Sequence, residues 1–462
     1  MRSLFVLLFL FHNSCLFSQT QDSLLITLGE STFDAKEVLT NRIIPWDLVW
    51  GDDSTLWFTE KTGGIYRLDT ESSELHEVGV VDEVYVSPRE NAGMHSMCFH
   101  PQWPDSSYLF VHYVYVPNYS KLVRFSIDRE TKKMSSATCI IDSIPAERSH
   151  NGSRMIIDST GNIMMSMGEA YQFQQAQDIS KLGGKILRFT PWGSIPKDNP
   201  FPDSYTWSYG HRNPQGLVLA ENGILYSSEH GPSTDDEINI IERGKNYGWP
   251  RVNGFCDIER EKSFCEENQV IEPIWAFTPT CAPSGLTYYS GEYFPELDNH
   301  LLQCFLKVKA LCVLKLSENG RTVDDLVNYF ENDYLRLRDV EVATDGSIYL
   351  STSNREKTLP PVKPNDDKII HITNLERTSR IPVFESIEVN GNTIRVKSNA
   401  KSEGKMRLTT FYGGVLKEVN VPIKNSVDLL YTFDEPNVYW LKFIQEGRIV
   451  TKMIRVEKDL IR

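Results

Sequence analysis

Two irregular polar segments and one cationic run hold the side chains with which this sequence could do chemistry. Tyr209-Gly210-His211-Arg212-Asn213-Pro214-Gln215-Gly216 precedes a turn phrase at Glu221-Asn222-Gly223, and Ser228-Glu229-His230-Gly231-Pro232-Ser233-Thr234-Asp235-Asp236-Glu237-Ile238-Asn239 follows it. Gly and Pro make both backbones irregular, so carbonyls that no strand ladder uses must find another partner. Carbonyls held outward at Gly231 and Pro232 would suit a hard cation such as Ca²⁺, which takes oxygen ligands. The alternative is a hydrogen-bonded corner in which Asp235 and Asp236 satisfy turn amides. Arg336 and Arg338, in Leu335-Arg336-Leu337-Arg338-Asp339-Val340, alternate along a run that reads as a strand, which puts both guanidiniums on one face. Their forks fit carboxylates, and left unligated in a cleft the pair would repel; the bland alternative is a solvated strand face. With 48 Lys and Arg against 62 Asp and Glu, a net charge of -14 argues against nucleic acid or an anionic membrane as the main partner. A basic cluster in so acidic a chain calls for a specific anionic ligand.

Such residues need a scaffold, and the scaffold is written in repeats. Leu48 to Phe58, around Gly51-Asp52-Asp53, matches Met155 to Met165, around Asp158-Ser159-Thr160-Gly161. The phrase returns at Leu217 to Tyr226 and at Val340 to Leu350, with looser copies from Met97 to Val111 and from Leu286 to Phe305. Each is an apolar run, a turn with Asp, Asn or Gly, and a second run of aromatic and β-branched residues, roughly 50 to 70 residues from the next. Six antiparallel units cannot each bury both faces alone, and radial packing about an axis solves that. The expected fold is therefore all-β: a six-bladed β-propeller over residues 22–374, with a β-sandwich array as the alternative. After Asn374 the turn phrases stop, and residues 375–462 read as a small C-terminal β-sandwich-like domain of short alternating strands.

The first nineteen residues, Met1-Arg2 followed by an apolar stretch from Leu4 to Phe11 and a polar end, read as a secretory signal peptide. No window carries the ~18 apolar residues of a transmembrane helix, so the chain is expected to be secreted or displayed at the cell surface. Of eight cysteines, loss of Cys15 with the leader leaves seven. Cys256 and Cys265 are the best disulfide candidates, in a polar segment without strand pattern, and the odd count leaves at least one free thiol. In the C-terminal domain, Asn437-Val438-Tyr439-Trp440-Leu441-Lys442-Phe443 and Gly447-Arg448-Ile449-Val450-Thr451-Lys452-Met453-Ile454 resemble the sorting domains of bacterial type IX secretion. That resemblance implies the type IX machinery as a partner; the alternative is a carbohydrate-binding or packing module.

Several spaced motifs, Asn246-Tyr247-Gly248-Trp249-Pro250, Lys185-Ile186-Leu187-Arg188, Ser194-Ile195-Pro196 with Asp198-Asn199-Pro200-Phe201, and Ala282-Pro283-Ser284-Gly285, together resemble the soluble quinoprotein sugar dehydrogenases. This is the glucose/sorbosone dehydrogenase family that uses pyrroloquinoline quinone (PQQ), and the resemblance spans essentially the whole propeller. It implies oxidation of an aldose at its C1 hydroxyl to the lactone, with electrons passed to an external acceptor of quinone or cytochrome type. By motif, His150 in His150-Asn151-Gly152-Ser153-Arg154 matches the catalytic base, which takes the proton of the anomeric hydroxyl while the C1 hydrogen leaves as hydride. Arg212 matches a contact near the quinone oxygens and, with Asn213, the cofactor set; Gly231 and Pro232 match carbonyl ligands of the Ca²⁺ that polarises the cofactor. Lys307, Arg336 and Arg338 match the cations that hold its carboxylates.

The chain departs from the family pattern at Asn91-Ala92-Gly93-Met94-His95, at Ser149 where an Asp is usual, and at His230 where a Gln follows the glutamate. Asn91 and His230 thus fall at cofactor-touching positions with altered side chains, which bears on sugar preference and cofactor affinity. A second reading is a catalytically silent propeller that binds saccharide or protein. A third, a metal-dependent lactonase, would need an acidic cage on the axis, and the sequence suggests none.

Overall fold

The computed structural model describes residues 23–28, 31–51, 54–87, 90–356 and 364–375, together with seven strands between residues 384 and 456. The expected leader and Cys15 lie outside the described residues.

Six antiparallel sheets form a propeller. Blade 1 comprises Pro45–Trp50, Thr55–Glu60, Gly64–Asp69 and Leu75–Val80; blade 2, Met94–Phe99, Tyr108–Val116, Tyr119–Ile127 and Met134–Pro145. Blade 3 comprises Met155–Ile157, Ile163–Met167, Lys185–Phe189 and Thr206–Tyr209; blade 4, Pro214–Leu219, Leu225–Glu229, Asp236–Ile240 and Trp275–Phe277; blade 5, Pro283–Tyr289, His300–Phe305, Ala310–Leu316 and Val323–Tyr329. Blade 6 joins Leu337–Val342, Ile348–Thr352 and Ile369–Asn374 to the N-terminal strands Ser31–Leu39 and Ser23–Leu28. Pairing of Ser31–Leu39 with Ile369–Asn374 closes the ring with backbone hydrogen bonds, so this sheet is built from both ends of the propeller.

Apolar side chains fill all six joints between blades. Trp57, Met97 and Leu109 pack between blades 1 and 2, Phe110, Met165 and Leu187 between 2 and 3, Met164, Ile186 and Leu217 between 3 and 4. Tyr226, Leu301 and Phe305 serve blades 4 and 5, Leu302, Leu350 and Ile370 blades 5 and 6, and Leu48, Phe58 and Tyr349 the closing joint. Middle strands are therefore buried on both faces, as Ile163–Met167 is throughout, while the outer strand Val323–Tyr329 is largely solvated.

The recurring turn phrases are the hairpins between first and second strands. Asp158 shows why they carry Asp: its Oδ1 accepts from the amides of Thr160 and Asn162. The two looser copies have longer connections at the same point, 100–107 and 290–299, the latter holding a 3₁₀ turn at Pro295–Leu297. The polar segment expected to lack strands contains a helix, Glu259–Asn268, and a disulfide joins Cys265 within it to Cys256 before it. Beyond the propeller, Phe384–Asn390, Thr393–Ser398 and Ser426–Leu430 form one antiparallel sheet; Val415–Val421, Gly404–Thr410, Asn437–Gln445 and Arg448–Val456 form another.

Because successive strands reverse direction, the loop entering each blade and the connection between its second and third strands open on the same face. That face carries residues 148–154, 168–184, 210–213, 230–235, 306–309 and 353–356, and it gathers nearly every residue singled out above.

Candidate active site

His150 sits in the loop entering blade 3, 9% exposed, with a left-handed backbone at φ 61°. Such a conformation costs a non-glycine residue energy and persists only where its surroundings fix it. They do: Gly168 crosses so closely that a Cβ there would lie 2.0 Å from the His150 carbonyl oxygen, which accepts the Ala170 amide at 3.0 Å. Glu169, fully buried, faces His150 Nδ1 at 2.9 and 3.1 Å through its two carboxylate oxygens. Nδ1 therefore carries the proton and donates, leaving Nε2 as the basic nitrogen. The Tyr171 ring stacks on the imidazole at 4.2 Å, and its hydroxyl lies 2.6 Å from Ser149 Oγ, so the departure at Ser149 is matched by a partner.

Blade 4 repeats this device, and the comparison is informative. His211 enters that blade, its Nδ1 lies 3.0 Å from Glu229 Oε1, and its ring stacks on Tyr247. Its Nε2, however, is taken by Ser208 Oγ at 2.8 Å, and the residue is wholly buried. Among the described residues no hydrogen bond uses His150 Nε2. Only His150 of the two has a nitrogen free for a substrate proton.

Arg212 adjoins this group, its carbonyl accepting the Glu169 amide at 2.9 Å and its own amide donating to Glu229 Oε2 at 2.7 Å. The guanidinium lies over Trp249, 5.2 Å from the ring centroid, and donates to the His230 carbonyl, while its buried Nε has no partner. Desolvation lowers its pKa, against the raising effect of Glu169 and Glu229. Asn213 is 2% exposed and its Oδ1 accepts the Gly152 amide at 3.1 Å, so it braces the His150 loop. His230 is turned into the protein, Nε2 donating to the Pro283 carbonyl at 2.7 Å; burial depresses its pKa to about 3, so the ring is neutral and Nδ1 is an acceptor. Asp236 satisfies turn amides, those of Gly231, Cys281 and Ala282. Among the described residues no hydrogen bond ends on the Gly231 or Pro232 carbonyls, which leaves two oxygens suited to Ca²⁺.

The arginine pair corrects the expectation of two guanidiniums placed on one face by regular strand alternation. A register shift between Leu337 and Asp339 interrupts the alternation, and Arg336 lies just before the strand. Arg338 is 1% exposed, so neither the solvated face nor an open cleft wall describes it. Both guanidiniums converge on Oε2 of Glu356, Arg336 at 3.2 Å, with Arg338 also reaching Ser353 Oγ at 3.2 Å. Arg338 further donates to Gln215, whose amide reaches Asn213 Oδ1 at 3.3 Å, which ties this cluster to the His150 side. Arg336 also donates to the Leu306 carbonyl at 3.2 Å, and the adjacent Lys307 is exposed, with Nζ donating to Thr280 Oγ1 at 2.6 Å. Asn91 Oδ1 accepts from Trp46 Nε1 at 3.4 Å.

Two buried acidic residues lie on the innermost strands. Asp47 of blade 1 and Asp339 of blade 6 are both bound by Arg154 of blade 3, which also lies under the Trp46 ring. A guanidinium occupies the space between the carboxylates, and among the described residues no group of three or more His, Cys, Asp or Glu is placed to hold a metal.

The sequence reading missed Glu169, Glu356 and Lys61. The first could have been found from the repeat: Glu60 and Glu229 end the second strands of blades 1 and 4, and Glu169 lies two residues past that of blade 3. In each blade this carboxylate accepts from the entering loop, from Arg42 and Ile43 in blade 1.

The residues fit an anionic cofactor. Arg336 and Arg338 bind one carboxylate, on which Lys61 acts electrostatically, and the buried Nε atoms of Arg212 and Arg338 lack acceptors. Fold and site thus define a ring-closed propeller with an oriented imidazole beside a cation-rich anion site. The profile of the glucose/sorbosone dehydrogenases matches residues 43–360, and the chain belongs to that family. It is 29% identical over 403 residues to quinoprotein glucose dehydrogenase B of Acinetobacter calcoaceticus, covering 68% of this chain and 84% of that protein. With the aldose sugar dehydrogenase of Escherichia coli it shares 34% identity over 232 residues, 47% of this chain and 61% of the other. The PQQ-bound aldose sugar dehydrogenase of Streptomyces coelicolor superposes with a TM-score of 0.64 at 28% identity, over 74% of this chain and 98% of that one.

Proposed function

We propose that the protein is a PQQ- and Ca²⁺-dependent dehydrogenase that oxidises the C1 hydroxyl of an aldose to the lactone and passes electrons to an external quinone or cytochrome. The observation that carries this is His150, oriented by Glu169 through Nδ1 with Nε2 unused, beside Arg212 on the propeller face. Bound PQQ would supply the hydride acceptor, and Ca²⁺ on the Gly231 and Pro232 carbonyls would polarise it. Arg336, Lys307 and Arg338 would hold its carboxylates. His150 Nε2 takes the hydroxyl proton and Glu169 stabilises the resulting imidazolium. Arg212 would stabilise the negative charge that develops on the cofactor.

Adding PQQ and Ca²⁺ to the purified protein and scanning aldoses with a dye acceptor tests this. Sugar-dependent dye reduction is expected; no binding at micromolar PQQ would favour the silent, ligand-binding propeller.

Export by the leader and sorting by residues 375–462 through the type IX machinery complete the proposal. Asn374, fully buried, ends the propeller with its amide and side chain hydrogen-bonded to Tyr293. A chain ending at Asn374 is therefore expected to fold and bind PQQ but to stay behind the outer membrane in a type IX host. Loss of folding would place the C-terminal strands in the propeller's packing, and loss of sugar binding alone would make them a substrate module.

A further inference from the structure

Lys61 and Glu356 share the electrostatic neighbourhood of the arginine pair, and neither belongs to the residues matched by family motif. Lys61 opens the connection between the second and third strands of blade 1 and is 2% exposed. Its Nζ donates to the Glu90 carbonyl, its one hydrogen bond among the described residues, so an ammonium with three N–H donors is buried against one acceptor. The loop that carries Asn91 leans on its stem: a Cβ on Gly93 would lie 2.5 Å from Lys61 Cγ. Glu356, 3% exposed, is used on one side only. Arg336, Arg338 and Ser353 all donate to Oε2, while Oε1 is buried and accepts nothing.

The two groups share one electrostatic cluster. Burial lowers the Lys61 pKa; Glu356 opposes that most strongly, and Arg338 adds to it. Burial pushes Glu356 up, but Arg338, Arg336 and Lys61 together hold it well below the ordinary glutamate value. Three cations therefore surround the Glu356 carboxylate, Glu90 and Asp367 acting on Lys61 and Arg336 more weakly than it does, with unused donors on the lysine and an unused acceptor on the glutamate. Away from bulk water such an excess attracts an anion strongly.

We infer that Lys61 and Glu356 set the affinity of this site for an anionic cofactor in opposite directions, Lys61 as a further ammonium contact to a cofactor carboxylate and Glu356 as the resident counter-ion that screens the arginines. This rests on the PQQ reading above. A merely structural ion cluster behaves differently, because loss of either partner then loosens the same site and both changes weaken binding.

The test is PQQ titration of the full chain with Ca²⁺ and no sugar, followed by quenching of tryptophan fluorescence, with circular dichroism as the check on folding. Wild type that fails to bind PQQ would sink the parent reading; wild type that binds puts the pair itself on trial. Lys61→Gln is expected to weaken PQQ binding by about tenfold or more, Lys61→Arg to recover most of it, and Glu356→Gln to tighten it by roughly threefold or more. Lys61→Gln with wild-type affinity, or Glu356→Gln weakening binding as Lys61→Gln does, overturns the inference. If Glu356→Gln does not fold, the two lysine variants decide.

Discussion

His150→Ala is expected to bind PQQ as the wild-type protein does and to oxidise sugar ~10²- to 10⁴-fold more slowly, the usual effect of losing a positioned general base. The two halves of this expectation come from different parts of the site. Cofactor charge would be met by Lys61, Lys307, Arg336 and Arg338, none of which hydrogen-bonds to His150 among the described residues. The proton would fall to His150, since His211, whose imidazole is likewise held by a buried glutamate, has its second nitrogen tied to Ser208. Glu169→Gln should lose turnover as well, by ~10-fold or more, because an amide no longer fixes the Nδ1–H tautomer or stabilises the imidazolium. Fluorescence titration with PQQ and single-turnover dye reduction separate binding from chemistry. A His150→Ala enzyme with near-normal kcat would remove His150 from the base's role, and one that no longer binds PQQ would show that the loop shapes the cofactor site.

What the sequence made legible followed from how local each feature is. Blade hairpins are local: a run, an Asp or Asn turn that feeds its own amides, and a second run. Four are explicit, and the other two blur only where connections 100–107 and 290–299 lengthen. Closure of blade 6 by Ser31–Leu39 is a pairing across more than three hundred residues and leaves no local mark. The helix Glu259–Asn268 was also hidden, because it is short, almost wholly polar, and carries no apolar stripe to read. In the site, cations stood out against an acidic chain, whereas their partners did not. Glu169 and Glu356 are two of 62 acidic residues; the place of Glu169 just after the second strand of its blade was a cue only once the blades were aligned, and only burial distinguishes Glu356 from the solvated ones. Some family motifs proved to be scaffold: Lys185 Nζ is spent on the carbonyls of Gln175, Ala176 and Gly183, and Arg188 on Asp158 and Asp198.

Arg338→Ala is expected to damage the fold as well as the site, which separates it from Arg336→Ala. Arg338 is enclosed, and it bonds Glu356, Ser353 and Gln215 while covering the Trp46 ring at 5.6 Å. Removing it leaves Glu356 buried with less than its full complement of positive charge, and breaking such a pair from one side costs about 3 kcal/mol or more. Arg336 is more open and holds Glu356 by one longer contact, so its loss should mainly weaken PQQ binding, by the ~1.5 to 3 kcal/mol of a charge-assisted hydrogen bond. Urea unfolding and PQQ titration of both variants check the distinction. The pH dependence has a definite sign. Since the folded-state pKa of Glu356 is depressed, its stabilisation is present above the unfolded value of 4.5 and is lost as pH falls below it towards the folded one. Wild type should therefore lose stability on acidification below about pH 4.5, and Glu356→Gln should lose less of it over the same range. Equal stability of Arg338→Ala and wild type in urea would mean that Arg336 and Lys61 suffice to neutralise Glu356, and the arginine pair would then serve the ligand alone.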